Sequence, residues 1–151
     1  MADAERTVIV HETTRPPRVG LWLAALAVLP LPVAVPALWL LPDEVVREAA
    51  RLWGAALTLF FSGVRRGVSF RTEGGATRAQ VAVFAWLFAA GLAALLLPPV
   101  PALWLLAAAL ASLALLDPWA AERGEVPLWF AGLRAVQMPV AAIALAALAL
   151  L

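Results

Sequence analysis

The sequence predicts an all-α fold, a polytopic membrane helix bundle of five transmembrane helices, and three observations predict it. Of 151 residues, 64% are hydrophobic and 14% charged, far below the roughly 25% charge of an average soluble domain. The apolar residues fall in long runs divided by Pro, Asp and Gly, each close to the ~20 residues that cross a bilayer. All eleven basic residues are arginine, and they crowd alternate connections between those runs.

Residues 1–18 carry Asp3, Glu5, Arg6, Glu12, Arg15 and Arg18 and end beside Pro16 and Pro17, so they read as a mobile polar arm. Acids crowd this start and no small-residue cleavage site follows the first apolar run, which argues against a signal peptide. The transmembrane domain then occupies residues 19–151. Its first span, about 19–41, contains Pro30, Pro32 and Pro36. Each removes a backbone donor, so this helix must kink or break near mid-membrane.

Asp43 and Glu44 open the second helix, about 44–70, where acids complement the helix dipole. Its beginning, with Arg47, Glu48 and Arg51, is amphipathic and interfacial. Its apolar part, Leu52 to Val64, reaches full length only if Arg65 or Arg66 snorkels. Ser62, Gly63 and Gly67 supply small residues for close helix packing, with Gly63 and Gly67 in a small-xxx-small pair. RTEGGATR, residues 71–78, is a loop, and Thr77 with Gln80 forms a capping box that starts the third helix.

From Ala79 to Leu116 the polar side chains are Gln80 and Ser112. Pro98, Pro99 and Pro101 split this run into spans of about 79–97 and 101–116. Asp117 and Pro118 have the form of an N-cap and first helical position, which predicts a short interfacial helix ending at Gly124, with Trp119 at headgroup level. Pro127 opens the last span, about 127–151, bent at Pro139 and carrying Arg134 and Gln137. With the N-terminus inside, nine arginines lie on the inner side and only Arg47 and Arg51 on the outer. The positive-inside rule therefore gives N-in, C-out. Most tryptophans fall near span ends as an aromatic belt, whereas Trp86 lies inside the third helix and reads as packed between helices.

Two stretches carry a resemblance. FFSGVRRG, Phe60 to Gly67, resembles the F-L-G-G-V-H-W-G type of motif in a domain-of-unknown-function family of small bacterial inner-membrane proteins with a mitochondrial inner-membrane relative. Pro127, Trp129, Leu133 and Arg134 are similar to that family's P-x-W-Y-x-x-L-R pattern, and Asp117, Ala120 and Ala121 to its D-x-x-A-A stretch. Ser62 stands where the family has glycine, and Arg66 where it has tryptophan. The resemblance implies a shared five-helix fold and brings no known activity.

The missing residue types bound the chemistry. There is no cysteine and no lysine, and the single histidine, His11, lies in the arm. Thiolate, Schiff-base, bis-His haem and His-rich metal chemistry therefore have no residues within the bundle. The carboxylates sit at predicted span edges, which leaves no proton relay. Thr58, Ser62 and Ser112 are hydroxyls without a base and read as interhelical hydrogen bonders. The arginines flank spans instead of forming a basic face, which argues against nucleic acid.

What remains is a candidate site for a lipid, a partner or a structural charge contact: Arg65, Arg66, Asp117 and Arg134 gathered near the cytoplasmic interface. Arg134 should pair with Asp117, because the fourth and fifth spans are joined closely enough to be antiparallel neighbours. The expected function is a non-catalytic, multi-pass protein of the bacterial inner membrane without a cofactor. It would act as an accessory, assembly or lipid-interacting factor whose partners are the bilayer, anionic headgroups or another membrane protein. The alternative is a small oligomeric transporter or channel.

Overall fold

The computed structural model describes residues 15–72 and 74–151. The expected arm therefore lies, up to residue 14, outside the described residues, and His11 with it. Among the described residues the chain is all α-helical: α1 Arg18–Val28, α2 Pro30–Ala37, α3 Asp43–Ser69, α4 Arg78–Leu96, α5 Pro99–Glu122 and α6 Leu128–Leu150. Four stretches are long and apolar enough to cross a membrane, namely Arg18–Ala37 taken as one, α4, α5 and α6. The 27-residue α3 falls outside that set, because it carries charges at both ends.

The prolines of the first apolar run interrupt the helix without unwinding it. Leu29, between α1 and α2, keeps right-handed helical dihedrals of φ −48° and ψ −39°, and its carbonyl accepts from the Val33 amide at 3.2 Å. The run is thus kinked at the point where Pro30 and Pro32 supply no N–H. It is also shorter than expected, ending at Ala37 and turning through Leu38 to Leu41. Carbonyls of α1 take side-chain donors from two neighbours: Gln137 Nε2 donates to Ala24 at 2.8 Å and Trp53 Nε1 to Ala27 at 2.9 Å.

The Thr77 capping box at the start of α4 is formed in full. The Thr77 hydroxyl accepts from the Gln80 amide at 3.1 Å, while Gln80 Oε1 accepts from the Thr77 amide at 2.9 Å. The expected interfacial helix after Asp117 does not form. α5 continues through Pro118 to Glu122, six residues beyond its expected end at 116. Its stop is a Schellman arrangement at Gly124, which takes φ +68°. There the Glu125 and Gly124 amides donate to the Ala120 and Ala121 carbonyls at 2.9 and 3.0 Å, the paired bonds that satisfy a helix's last carbonyls.

The helices alternate in direction. Asp117 meets Arg134 at one end of the α5–α6 pair, and Leu106 and Leu145 meet over Gly54 nearer the other. α3 carries two contact faces. Ala55, Leu59 and Ser62 meet α4, and Ser62 donates to the Phe84 carbonyl at 3.2 Å. Gly54, Phe61 and Arg65 meet α5 and α6. Leucine and alanine dominate the buried core between them, including Leu31, Leu87, Leu103, Leu110 and Leu148.

The small residues that permit close approach are not the expected pair. A Cβ on Gly63 or Gly67 would meet nothing within 4 Å, whereas one on Gly91 would lie 2.7 Å from Leu59 Cγ and one on Gly54 3.0 Å from Leu106 Cδ1. Gly63 and Gly67 face outward because the α4-facing stripe of α3 runs through Ala55, Leu59 and Ser62. Of the three hydroxyls, Ser62 and Ser112 bond across helices, Ser112 Oγ accepting from Trp86 Nε1 at 3.1 Å. Thr58 instead donates to Gly54 of its own helix at 2.8 Å. Trp86, expected between helices, lies at the α4–α5 seam and remains 40% exposed.

Gly91→Ala is expected to destabilise the protein by about 1–3 kcal/mol through overpacking. Gly63→Ala and Gly67→Ala should be neutral or stabilising by up to ~1 kcal/mol from helix propensity. Thermal unfolding in mild detergent checks both.

Candidate functional site

The sequence gathers Arg65, Arg66, Asp117 and Arg134, and the structure brings three of the four together. Asp117 lies in the last two turns of α5, 1% exposed, between a guanidinium from α3 and one from α6. Arg65 Nη1 stands 3.2 Å from Asp117 Oδ1, and Arg134 Nε 3.5 Å from Oδ2. The expected Arg134–Asp117 contact is present, and Arg65 completes it from the opposite oxygen.

Asp117 is therefore not the N-cap that its Asp-Pro context suggests. A cap is worth ~1 kcal/mol, whereas a buried guanidinium left unpaired costs several. The carboxylate goes where the larger penalty is relieved. The contact is one of charge more than of aligned hydrogen bonds, since Arg65 Nη1, Asp117 Oδ1 and Arg134 Nε make none.

Arg134 has further support. Its Nη1 donates to Gln137 Oε1 at 3.2 Å, and its guanidinium carbon lies 4.0 Å from the Phe61 ring centre and 5.0 Å from that of Phe130. Cation–π contacts are strongest where, as here, water is excluded. Ser62 is fully buried one turn before Arg65 on α3. Arg66 points away from the cluster. It donates to Ser69 Oγ at 3.2 Å and lies 4.4 Å from the Phe70 ring centre.

With Arg65 and Arg134 sealed by Asp117, Phe61 and Phe130, the cluster is not open to a headgroup. It is an internal tie joining α3, α5 and α6. A second tie joins the two loops at the same end. Glu125, 7% exposed, pairs with Arg123 at 2.8 Å and accepts from Thr77 Oγ1 at 3.2 Å. Gln80 Nε2 donates to its backbone carbonyl at 3.1 Å. The capping box pointed to Thr77 and Gln80, but nothing local in the sequence marks Glu125 as their partner.

At the opposite end, two arginines serve other helices. Arg47 Nε donates to the Leu148 carbonyl at 3.1 Å. Arg51 Nη1 donates to the carbonyls of Ala94 and Leu95 at 2.9 and 2.8 Å while Glu48 holds its Nε at 2.8 Å. The last carbonyls of α6 and α4, which have no partner within their own helices, are thus capped from α3 by cations that also suit the negative ends of the helix dipoles. The α3 sequence reads as an interfacial amphipathic turn and hides this role, because the receiving carbonyls lie 43 to 101 residues away.

Among the described residues no three of His, Cys, Asp and Glu come together as metal ligands would. No family model, no curated protein and no solved structure matches this chain.

The sharpest consequence of the tie is an ordering of variants. Asp117→Asn, which leaves two buried guanidiniums side by side, should cost ~3–5 kcal/mol. Arg65→Met leaves the neutral Asp117–Arg134 pair and should cost clearly less. The double variant should be more stable than Asp117→Asn alone. Thermal midpoints in detergent and in native lipid read this order, and strictly additive losses would refute the tie.

Proposed function

We propose that this chain is a non-catalytic, multi-pass protein of the bacterial inner membrane, crossing five times with its N-terminus in the cytoplasm and acting as an accessory or lipid-interacting factor. The observation that carries the reading is the outer face of α3. From Leu52 to Phe70 its exposed residues are Leu52, Trp53, Ala56, Phe60, Gly63, Gly67 and Phe70, while Thr58, Ser62, Arg65 and Ser69 are buried. This is the reverse of a helix on a soluble protein, which turns its polar side to water.

At ~1.5 Å per residue this apolar band is about 27 Å long, close to a ~30 Å hydrocarbon core. Averaging hydropathy along α3 counts buried polar groups that lipid never meets. With α3 crossing, the bundle's exposed flanks are apolar throughout, as in the exposed Leu26, Phe88, Leu115, Val136 and Ile143 of its neighbours.

Orientation follows from how the arginines are spent. Arg47 and Arg51 are engaged with carbonyls and with Asp43 and Glu48, whereas Arg18, Arg71 and Arg78 lie exposed at the other end. Free positive charge thus collects on one side, which the positive-inside rule puts in the cytoplasm. A non-catalytic role is supported by the inventory of buried polar groups, each engaged with another side chain or a backbone carbonyl in a structural contact. The transporter reading gains nothing from the interior, since Thr58 gives way toward Arg51 to Leu57, Ala55 and Gly54 on the buried side of α3.

Reporter fusions test the topology. A fusion after Leu151 should be active only as an external reporter, and an insertion between Gly74 and Gly75 only as a cytoplasmic one. A cytoplasmic C-terminus would exclude five crossings. Extraction in mild detergent should recover a defined partner complex or bound lipid, and proteoliposomes should carry no solute flux. Flux above that of empty vesicles would favour the transporter.

A further inference from the structure

A groove of about 750 Å³ runs between α1 and α6, within the size range of ligand pockets. Its walls are apolar, built by Leu21, Trp22 and Val28 on one side and by Gly132, Val136 and Val140 on the other. Arg18, at the first position of α1, stands at its mouth, and Pro32 lines its far end. From Arg18 to Pro32 the helical rise is roughly 21 Å, somewhat more than one leaflet's half of a ~30 Å core.

From this arrangement we infer that the groove binds one anionic phospholipid, its acyl chain between α1 and α6 and its phosphate on Arg18. The inference rests on the membrane reading above and adds a ligand to it.

Three observations select this occupant. First, the interior asks for hydrocarbon. The polar side chain inside the groove is Gln137, whose Oε1 accepts from Arg134 and whose Nε2 donates to Ala24, so both ends of its amide are already engaged within the bundle. Second, the mouth asks for an anion. Arg18 is exposed, and the N-cap residue of α1, Pro17, makes no side-chain cap bond. The guanidinium and the positive end of the helix therefore act together on a phosphate. Third, the mouth lies at the arginine-rich end, where a leaflet facing the cytoplasm presents its headgroups.

The other candidates fit less well. The N-terminal arm carries Asp3, Glu5, Arg6 and Glu12; one acid could meet Arg18 at the mouth, but the other charges would be stranded along the apolar walls. A second copy packed across the groove by two-fold symmetry would bring like charges toward one another at Arg18.

The test uses the full-length protein in nanodiscs of equal parts phosphatidylglycerol and phosphatidylcholine, with retained lipid read by native mass spectrometry. The native chain should keep one phosphatidylglycerol. A Cβ at Gly132 meets nothing within 4 Å, so the backbone admits a side chain there and Gly132→Leu adds bulk to the groove. It should lower lipid retention by at least about tenfold, a fold-change of ~1.4 kcal/mol or more, with the thermal midpoint held.

Val136→Trp, on the same wall at 68% exposure, should do likewise. Arg18→Gln should keep a lipid but lose preference for phosphatidylglycerol over phosphatidylcholine by about fivefold, as expected for one arginine at a membrane surface. Undiminished retention in both groove variants, unchanged preference in Arg18→Gln, or a second protein chain in place of the lipid would each overturn the inference. Insertion into the nanodisc without a retained lipid overturns the groove alone. Failure to insert overturns the membrane reading as well.

Discussion

Asp117 is one carboxylate shared by two buried guanidiniums, and much of the bundle's organisation follows from it. Two arginines cannot be taken out of water at one end of a helix bundle without a counter-charge. Only one acid stands between them, within 3.2 Å of Arg65 and 3.5 Å of Arg134. To reach both, α5 must keep its helix through Pro118, forgoing the amide that would have bonded the Ala114 carbonyl. α3 must also turn Arg65 inward. That rotation fixes what α3 shows outside: with Arg65 in, Thr58, Ser62 and Ser69 are in as well, and Phe60, Gly63 and Gly67 are left facing out.

The opposite end is tied by the same helix in a different way. Arg47 and Arg51 lie about five and four turns before Arg65 along α3, where they cap the C-termini of α6 and α4. One helix thus supplies an ion contact to α5 and an aromatic face to Arg134 of α6 at one end, and cation caps at the other. Between these two belts the packing is small-to-large, with Gly54 against Leu106 and Leu145, and Gly91 against Leu59. On the membrane reading, apolar side chains gain little from leaving lipid for one another, so close packing and polar ties supply the specificity.

The sequence was most readable where a signal is local. The Thr77–Gln80 box, the proline-marked turn between α4 and α5, the glycine stop at Gly124 and the kink near Pro30 are each decided by a few consecutive residues. The pairing of Arg134 with Asp117 was also legible, because the short α5–α6 connection forces the two ends together. Legibility failed where a local signal competes with a distant one. Asp117-Pro118 reads as a helix start, and only the depth of Arg65 and Arg134 shows why the carboxylate serves them instead. Gly63 and Gly67 read as a packing pair, yet which face of α3 is inside is set by Arg65. The pairing of Thr77 and Gln80 with Glu125 links residues 45 and 48 positions apart and leaves no periodic trace.

On the membrane reading α3 is decisive: Thr58, Ser62, Arg65 and Ser69 are buried against the bundle, and the exposed face from Leu52 to Phe70 is the one proposed to meet lipid. The chain contains no cysteine, so a single introduced one can carry a spin label at Ala56, Phe60 or Gly63 in turn. In nanodiscs these labels should be accessible to oxygen, which concentrates in the hydrocarbon, and shielded from a water-soluble nickel chelate. Accessibility to the chelate along this face, as great as in the Gly74–Gly75 loop, would place α3 in water and contradict the account.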